Sequence, residues 1–485
     1  MAVVTFFVDV YYDCFHPSYP FMLPRDDFQR AVCLETDTPL VHAMLAIACR
    51  FVAADSQRSA ASFLRTTVHP YMLDPMYWLG RAAKYDSHLV RPAGRLKLAL
   101  LLAYSAAFDG HHARARDLLA GGRQAFRDAG FDHLDSADRA LRARADELAG
   151  SRSLLPLPLE RESVRRTYYM IWELGVLLAA VYSAPGDVVP FNAAVRMASC
   201  DAVYAGSLRD WNGYSFHWDD FHQLVFTYSP ETPVHAYKLN SASFRTAAVN
   251  VLAQVVAAPD RLTDDDVDVL DWRVRCLLSK IFKYRTGPKR LHMTLFVTHQ
   301  MLYTALVLLH RTRAAPALVF AVHAAGCDGL AAYAENAPAT AAGPHPPPVA
   351  RSYATLVDAT AELVAMLHTL IACNDGREDA ALFRVSPFLG VILAACVPVI
   401  ASRLVLDAVR PDPPPPECAP LAPEDHIPTL RALLMRTRMP DAPTRADLDL
   451  CVRSLGRLSD VWGVLRPALA DANAIVARID TAGRS

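Results

Sequence analysis

Two histidines and two aspartates fall within six residues in His217-Trp218-Asp219-Asp220-Phe221-His222, the donor types that hold a divalent cation. Imidazoles five positions apart leave a helix on different sides, and no cysteine is near, so the stretch reads as a solvated acidic loop. Asp264-Asp265-Asp266-Val267-Asp268 approaches an Asp-Asp-x-x-Asp metal box, yet acidic residues ahead of an apolar stripe are the ordinary start of a helix. His111-His112 has no partner at a useful spacing, and His16 reads as a turn residue that satisfies backbone groups. The ten cysteines are scattered without close pairs and read as reduced, mostly buried thiols of an intracellular protein. There is no Gly-x-Ser-x-Gly elbow, no phosphate-cradling glycine loop, no Gly-x-Gly-x-x-Gly turn and no His-Glu-x-x-His helix, so the chain is not expected to be an enzyme.

What remains is a cluster suited to binding. Arg165 and Arg166 precede Tyr168, Tyr169 and Trp172 at the head of residues 162–185, beyond which the segment is apolar nearly all round until Pro185 and Gly186 stop it. Such a helix belongs in the middle of a large helical body. Tyrosine hydroxyls and an indole N–H need partners when buried, so this head, beside a connector at 151–160, makes a part-apolar wall for a small effector. The same five residues, Arg165, Arg166, Tyr168, Tyr169 and Trp172, serve equally as core, the ordinary fate of an aromatic stripe on a helix.

The elements around it are helical throughout. Leu40, Ala43, Met44, Ile47, Ala48 and Phe51 form a stripe opened by Thr38-Pro39, and a looser region holding Tyr71, Tyr77 and Trp78 leads to an apolar helix at 94–108. In 113–130, Leu118, Leu119, Gly122, Ala125, Phe126 and Ala129 share one face, and Gly130 is placed to end the helix. Glycine inside a helix costs about 1 kcal/mol against alanine, so Gly121-Gly122 argues for close helix packing. After Asp264 the helices resume, with Leu291, Leu295, Thr298, Leu302, Ala305 and Leu309 on one face. With no sustained period-two run, the expected class is all-α, a large multi-helix bundle of stacked helical hairpins. Proline-rich stretches divide it into a helical core at 1–337, a linker at 338–350 and a C-terminal helical part at 351–485 carrying an insert at 410–423. The uncharged run 385–402 nears membrane-spanning length, but its prolines and bare flanks suit a buried core helix, and no membrane partner is expected.

Arg165-Arg166-Thr167, paired aromatics, an apolar helix and a Pro-bearing turn together resemble the signature helix of the regulatory middle homology domain of fungal zinc binuclear cluster transcription factors. That family carries Trp-Trp where this chain has Tyr168-Tyr169, Asp-Arg where it has Gly175-Val176, and Gly-Arg where it has Ser183-Ala184. Phe15-His16-Pro17-Ser18-Tyr19-Pro20 is similar to the family's opening turn, and His299, Tyr303, Leu306, Leu308, Leu309, His310 and Arg311 to its last core helix. Ser386-Pro387-Phe388 and the run Leu455, Leu458, Ser459 and Trp462 resemble its C-terminal half, so the likeness covers most of the chain through the order of degenerate motifs.

The resemblance implies a nuclear transcription regulator of RNA polymerase II genes, effector-sensing, partnered as a homodimer or with other transcription regulators. Family members bind zinc through an upstream six-cysteine cluster that reads DNA; that pattern is absent here. No cofactor or metal is therefore expected in this chain, DNA is reached only through a cluster it does not carry, and the chain is a stand-alone or truncated member or lacks an upstream exon. The charge balance agrees, since 49 basic against 50 acidic side chains leave a net charge of −1 and no field to grip phosphates. The alternative is a stand-alone ligand-binding or scaffold protein that retained the fold but not DNA binding.

Overall fold

In the computed structural model the apolar stripes are helical, and the residues described are 2–31, 34–54, 74–83, 91–136, 139–150, 157–182, 184–199, 217–227, 240–257, 262–281, 285–287, 290–324, 346–374, 376, 382, 388–408, 443–461 and 463–482. Among them the order is α1 (Ala2–Val10), α2 (Arg25–Ala31), α3 (Leu34–Ala54), α4 (Pro75–Ala83), α5 (Pro92–Phe108), α6 (His112–Asp128), α7 (Arg139–Gly150), α8 (Leu157–Val181), α9 (Trp218–His222), α10 (Ser241–Ala257) and α11 (Asp264–Lys280). There follow α12 (Met293–Ala324), α13 (Pro346–Cys373), α14 (Phe388–Ala408), α15 (Arg445–Val461) and α16 (Arg466–Ala482). The strands described are β1 (Arg285–Gly287) and β2 (Arg290–Leu291), an antiparallel two-stranded ribbon. The protein is all-α.

α8 is enclosed on all sides by α5, α6, α7 and α10. It begins at Leu157, so the last residues of the expected connector 151–160 are already helical; Pro158 fits in a first turn, where no backbone N–H is required. Residues 151–156 lie outside the described residues. Tyr168, Tyr169, Trp172 and Leu177 are buried, as are Leu302 and Leu309 on α12, whereas Tyr182 is half-buried with its ring stacked on His112 at 4.1 Å. α6 meets α8 closely at one of its two internal glycines. A methyl group added at Gly122 would stand 3.2 Å from Ile171 Cδ1, but one at Gly121 would touch nothing within 4 Å. Gly130, at φ +66°, closes α6 in the left-handed conformation that glycine adopts freely.

Three element assignments differ from the sequence reading. The stretch holding Tyr77 and Trp78 is the helix α4, and α3 starts a turn before Thr38-Pro39, with Pro39 inside it. α10 has no counterpart in the reading at all; Asn240 starts it by accepting from Ser243 N at 2.9 Å.

The C-terminal helices belong to the same core. α12 packs on α10 and α11 on one side and on α13 and α14 on the other, while α15 reaches α3. His310 of α12 ties three helices, with Nε2 3.0 Å from Asp271 Oδ1 on α11 and Nδ1 3.1 Å from Ser352 Oγ on α13. Burial opposes the Asp271 charge, but hydrogen bonds from His310 and Arg275 outweigh it and hold the carboxyl below its usual range. The expected boundary between 1–337 and 351–485 is thus no division of the core. Pro346 opens α13, so the proline-rich stretch 338–350 is helical at its end; 338–345 and the insert 410–423 lie outside the described residues. The Ser386-Pro387 pair and Trp462 also lie outside them, while Leu455, Leu458 and Ser459 are buried.

Two helical segments, Met293–Ala315 and Arg351–Cys373, are long and apolar enough to cross a membrane by length and composition, with 78% and 50% of their apolar windows buried against the rest of the protein. The core helix of a packed body passes the same test. Phe388–Ala408, which contains most of the run 385–402, is likewise a packed helix with Pro398 inside it.

Candidate functional site

The polar residues at the head of α8 are almost all spent on internal partners. Glu162, wholly buried, accepts from Ser199 N at 2.8 Å and Arg166 Nε at 3.0 Å, and Arg165 reaches it from NH1 at 3.3 Å. Arg165 also donates through Nε to Asp135 at 3.0 Å, and Asp135 accepts from Arg196 N at 3.0 Å. Burial works against the Asp135 charge, but Arg165 overcomes it and holds the carboxyl below its usual range. Arg166 donates to Pro20 O at 3.2 Å and Ser199 O at 2.7 Å.

Two turns on, the apolar run contains a charge. Glu173 of α8 is 2% exposed and receives Arg245 of α10 in a bidentate pair, Nε to Oε2 at 2.7 Å and NH2 to Oε1 at 2.6 Å. Arg245 sends its remaining nitrogen to Ser18 O at 2.6 Å and lies over the Tyr19 ring. Burial disfavours the Arg245 charge, yet Glu173 raises its pKa above the ordinary value. The turn at 15–20 is thereby clamped to α8 by two buried arginines, from Arg166 to Pro20 and from Arg245 to Ser18, with Ser163 Oγ donating to Phe21 O at 3.2 Å.

The aromatic head is equally engaged. Tyr169 donates its hydroxyl to Val195 O at 2.7 Å, Trp172 its indole N–H to Val189 O at 3.0 Å, and Tyr168 stacks on Phe126 at 4.5 Å. Burial pushes the Tyr168 phenol up to about 12 and Tyr169 well above its ordinary value. The cavity beside Pro20, Arg166, Tyr169, Trp172, Glu173 and Arg245 measures about 20 Å³, the space of a water molecule. Of the two readings of Arg165, Arg166, Tyr168, Tyr169 and Trp172, the geometry among the described residues is that of core, the cavity beside the rings having the space of a water molecule.

A row of rings leads from this head to a larger space. Trp172 meets Phe191 at 5.1 Å, Phe191 meets Trp218 at 4.9 Å, and His222 lies 6.0 Å from Trp218 and 4.9 Å from Phe226. Trp218, His222, Phe226, Asn250, Gln254 and Arg273 line a cavity of about 260 Å³ between α9, α10 and α11. Gln254 joins its polar side, taking Arg273 NH1 on Oε1 and giving Nε2 to Asn250 Oδ1, each at 2.5 Å. The expected loop at 217–222 is therefore a short helix in which His217 is the N-cap and accepts from Arg196 Nε at 3.0 Å, while Asp219 and Asp220 are exposed.

The other candidates are engaged in structure. Thr263 and Asp266 form a capping box on α11, Asp264 pairs with Arg313, and Asp268 lies 3.4 Å from Arg351. No group of three or more His, Cys, Asp or Glu that could hold a metal occurs among the described residues. Burial drives the thiols of Cys49 and Cys396 up to about 12, far from a reactive thiolate. No family model, no curated protein and no solved structure matches the chain.

Proposed function

We propose that the chain is the helical regulatory body of a transcription regulator of the fungal zinc binuclear cluster kind, acting on RNA polymerase II genes in the nucleus and dependent on a separate segment for DNA contact. One observation carries the reading. Two of the segments that carry the sequence likeness, the turn at Phe15–Pro20 and the helix headed by Arg165-Arg166, are remote in sequence yet directly bonded through Arg166 to Pro20 O. A shared pair of motifs that is also a structural unit is what a common regulatory fold would keep. The 260 Å³ cavity favours the second reading, a stand-alone ligand-binding protein of the same fold.

Tethering the 485-residue chain to a heterologous DNA-binding domain upstream of a reporter separates them. A nuclear fusion that changes transcription several-fold relative to the tether alone supports regulation. A nuclear, intact fusion that leaves the reporter unchanged favours the ligand-binding alternative.

A further inference from the structure

We propose that the cavity between α9, α10 and α11 binds a planar aromatic carboxylate. The inference rests on the regulatory reading only for what the ligand would control; the site itself stands on its lining. Its apolar lining is Trp218, Phe226 and Val251, side chains that suit a flat, apolar ring. At about 260 Å³ the space lies just below the usual ligand pockets of about 300–1,000 Å³, which suits one or two fused rings.

The polar side of the cavity selects the second half of the ligand. Arg273 is half-buried and among the described residues forms no ion pair; its one hydrogen bond there, from NH1 to Gln254, leaves the rest of the guanidinium fork available. The Trp218 indole N–H and the His222 ring nitrogens have no hydrogen-bond partner among the described residues, although both rings line the same space. Three donor-bearing groups beside aromatic rings are complementary to a carboxylate held in plane with an aromatic ring, the geometry that a guanidinium fork recognises. The charges nearby do not forbid an anion. Lys280 Nζ sits 2.6 Å from Val225 O, next to Phe226, while the acids Asp219 and Asp220 are exposed, where solvent screens them. Asp271, two residues before Arg273 and so on the opposite face of α11, is already paired with His310 and Arg275.

The contrast with the head of α8 makes the choice specific. There every guanidinium donor that meets a ring or carboxylate is used inside the protein, and the cavity admits a water; here the donors are open and the space is larger by an order of magnitude.

The test uses the full chain, 2-naphthoate as probe and 2-naphthamide as its neutral control, followed by calorimetry and by tryptophan fluorescence. The expected result is saturable one-to-one binding of the carboxylate, with the amide about ten-fold weaker or worse. Arg273→Gln should erase that difference while leaving the fold intact by circular dichroism, and Trp218→Leu should weaken both probes. Equal affinity for the two probes, an Arg273→Gln variant that keeps the preference, or no saturable binding at millimolar naphthoate overturns the proposal. A silent reporter fusion whose purified chain still binds naphthoate in this manner would count against the regulatory reading alone.

Discussion

Arg245 lies over the Tyr19 ring and Arg273 lines the cavity with Trp218 and Phe226, and the two arginines have opposite fates. Arg245 is 2% exposed, meets Glu173 in a bidentate pair and gives its third nitrogen to Ser18 O. Arg273 is half-buried and spends one donor on Gln254. The residue types alone do not separate scaffold from binding surface. What separates them is how many donors the protein itself consumes, because a buried guanidinium left unpaired is costly and a half-buried one is kept hydrated.

The largest expected effect tests the consumed side. Glu173→Ala strands the Arg245 charge in the core and should cost about 3–5 kcal/mol in chemical denaturation, whereas Arg273→Gln should stay within about 0.5 kcal/mol. Replacing both partners, Glu173→Leu with Arg245→Met, should recover most of that loss, short of about 1 kcal/mol for the donor removed from Ser18 O. A double variant no more stable than Glu173→Ala would mean that the pair is needed for more than mutual neutralisation.

Little of this contrast was legible in the sequence, and the reasons are physical. Periodicity revealed the helices whose apolar face is flanked by charge, such as α6, because there the pattern has two sides. It missed α10, which is buried almost all round and rich in small and β-branched residues, so it offers no polar face to set the period. The ionic core was missed with it, since the segment beyond Trp172 read as apolar nearly all round, with Glu173 passed over, and its partner lay in an unread helix. A signal did exist. Glu173 stands alone in the apolar part of α8 and Arg245 alone in α10, and two opposite charges each isolated in an apolar helix have no cheap place except against each other. The cavity was less accessible still, because its walls come from three elements whose meeting depends on the packing of α10.

A second pair of sites compares histidines. His42 lies against Trp78 with ring centroids 5.3 Å apart, as His222 lies against Trp218, but His42 is buried. Burial, helped by the Arg81 charge, lowers its pKa to about 4. The unfolded chain takes up a proton near pH 6.5 that the folded protein refuses until about pH 4, so stability should fall as pH drops through that window and level off below it. This group should contribute about 2 kcal/mol of the loss, and His42→Gln should flatten urea midpoints measured between pH 7 and pH 4. An unchanged slope would place the titration elsewhere.

Tyr169→Phe sharpens the comparison at the level of one hydrogen bond. The hydroxyl donates to Val195 O within the core, so its removal should cost about 1 kcal/mol or more and lower the thermal midpoint by about 1 °C. Naphthoate affinity should not change, because the row of rings between Tyr169 and Trp218 stays in place. A variant of native stability with altered ligand response would return the effector to the head of α8.

The smallest effect separates engaged from free positions by one methyl group. Gly121 and Gly122 are adjacent in α6, and each lowers helix propensity by about the same amount relative to alanine. Gly121 is exposed and an added Cβ meets nothing within 4 Å, so Gly121→Ala should stabilise the protein by about 0.5–1 kcal/mol. At Gly122 the same Cβ would press on Ile171 Cδ1 at 3.2 Å and rest on Ala99 at 3.5 Å, which offsets the gain in propensity. Gly122→Ala should therefore fall below Gly121→Ala, and Gly122→Val, with two further methyl groups directed at α8, should be clearly destabilising. The ordering of the three midpoints is the measurement. If Gly122→Val were as stable as Gly121→Ala, α6 would not lie against α8 as closely as described, and the enclosure of the α8 head that leaves room for only a water would go with it.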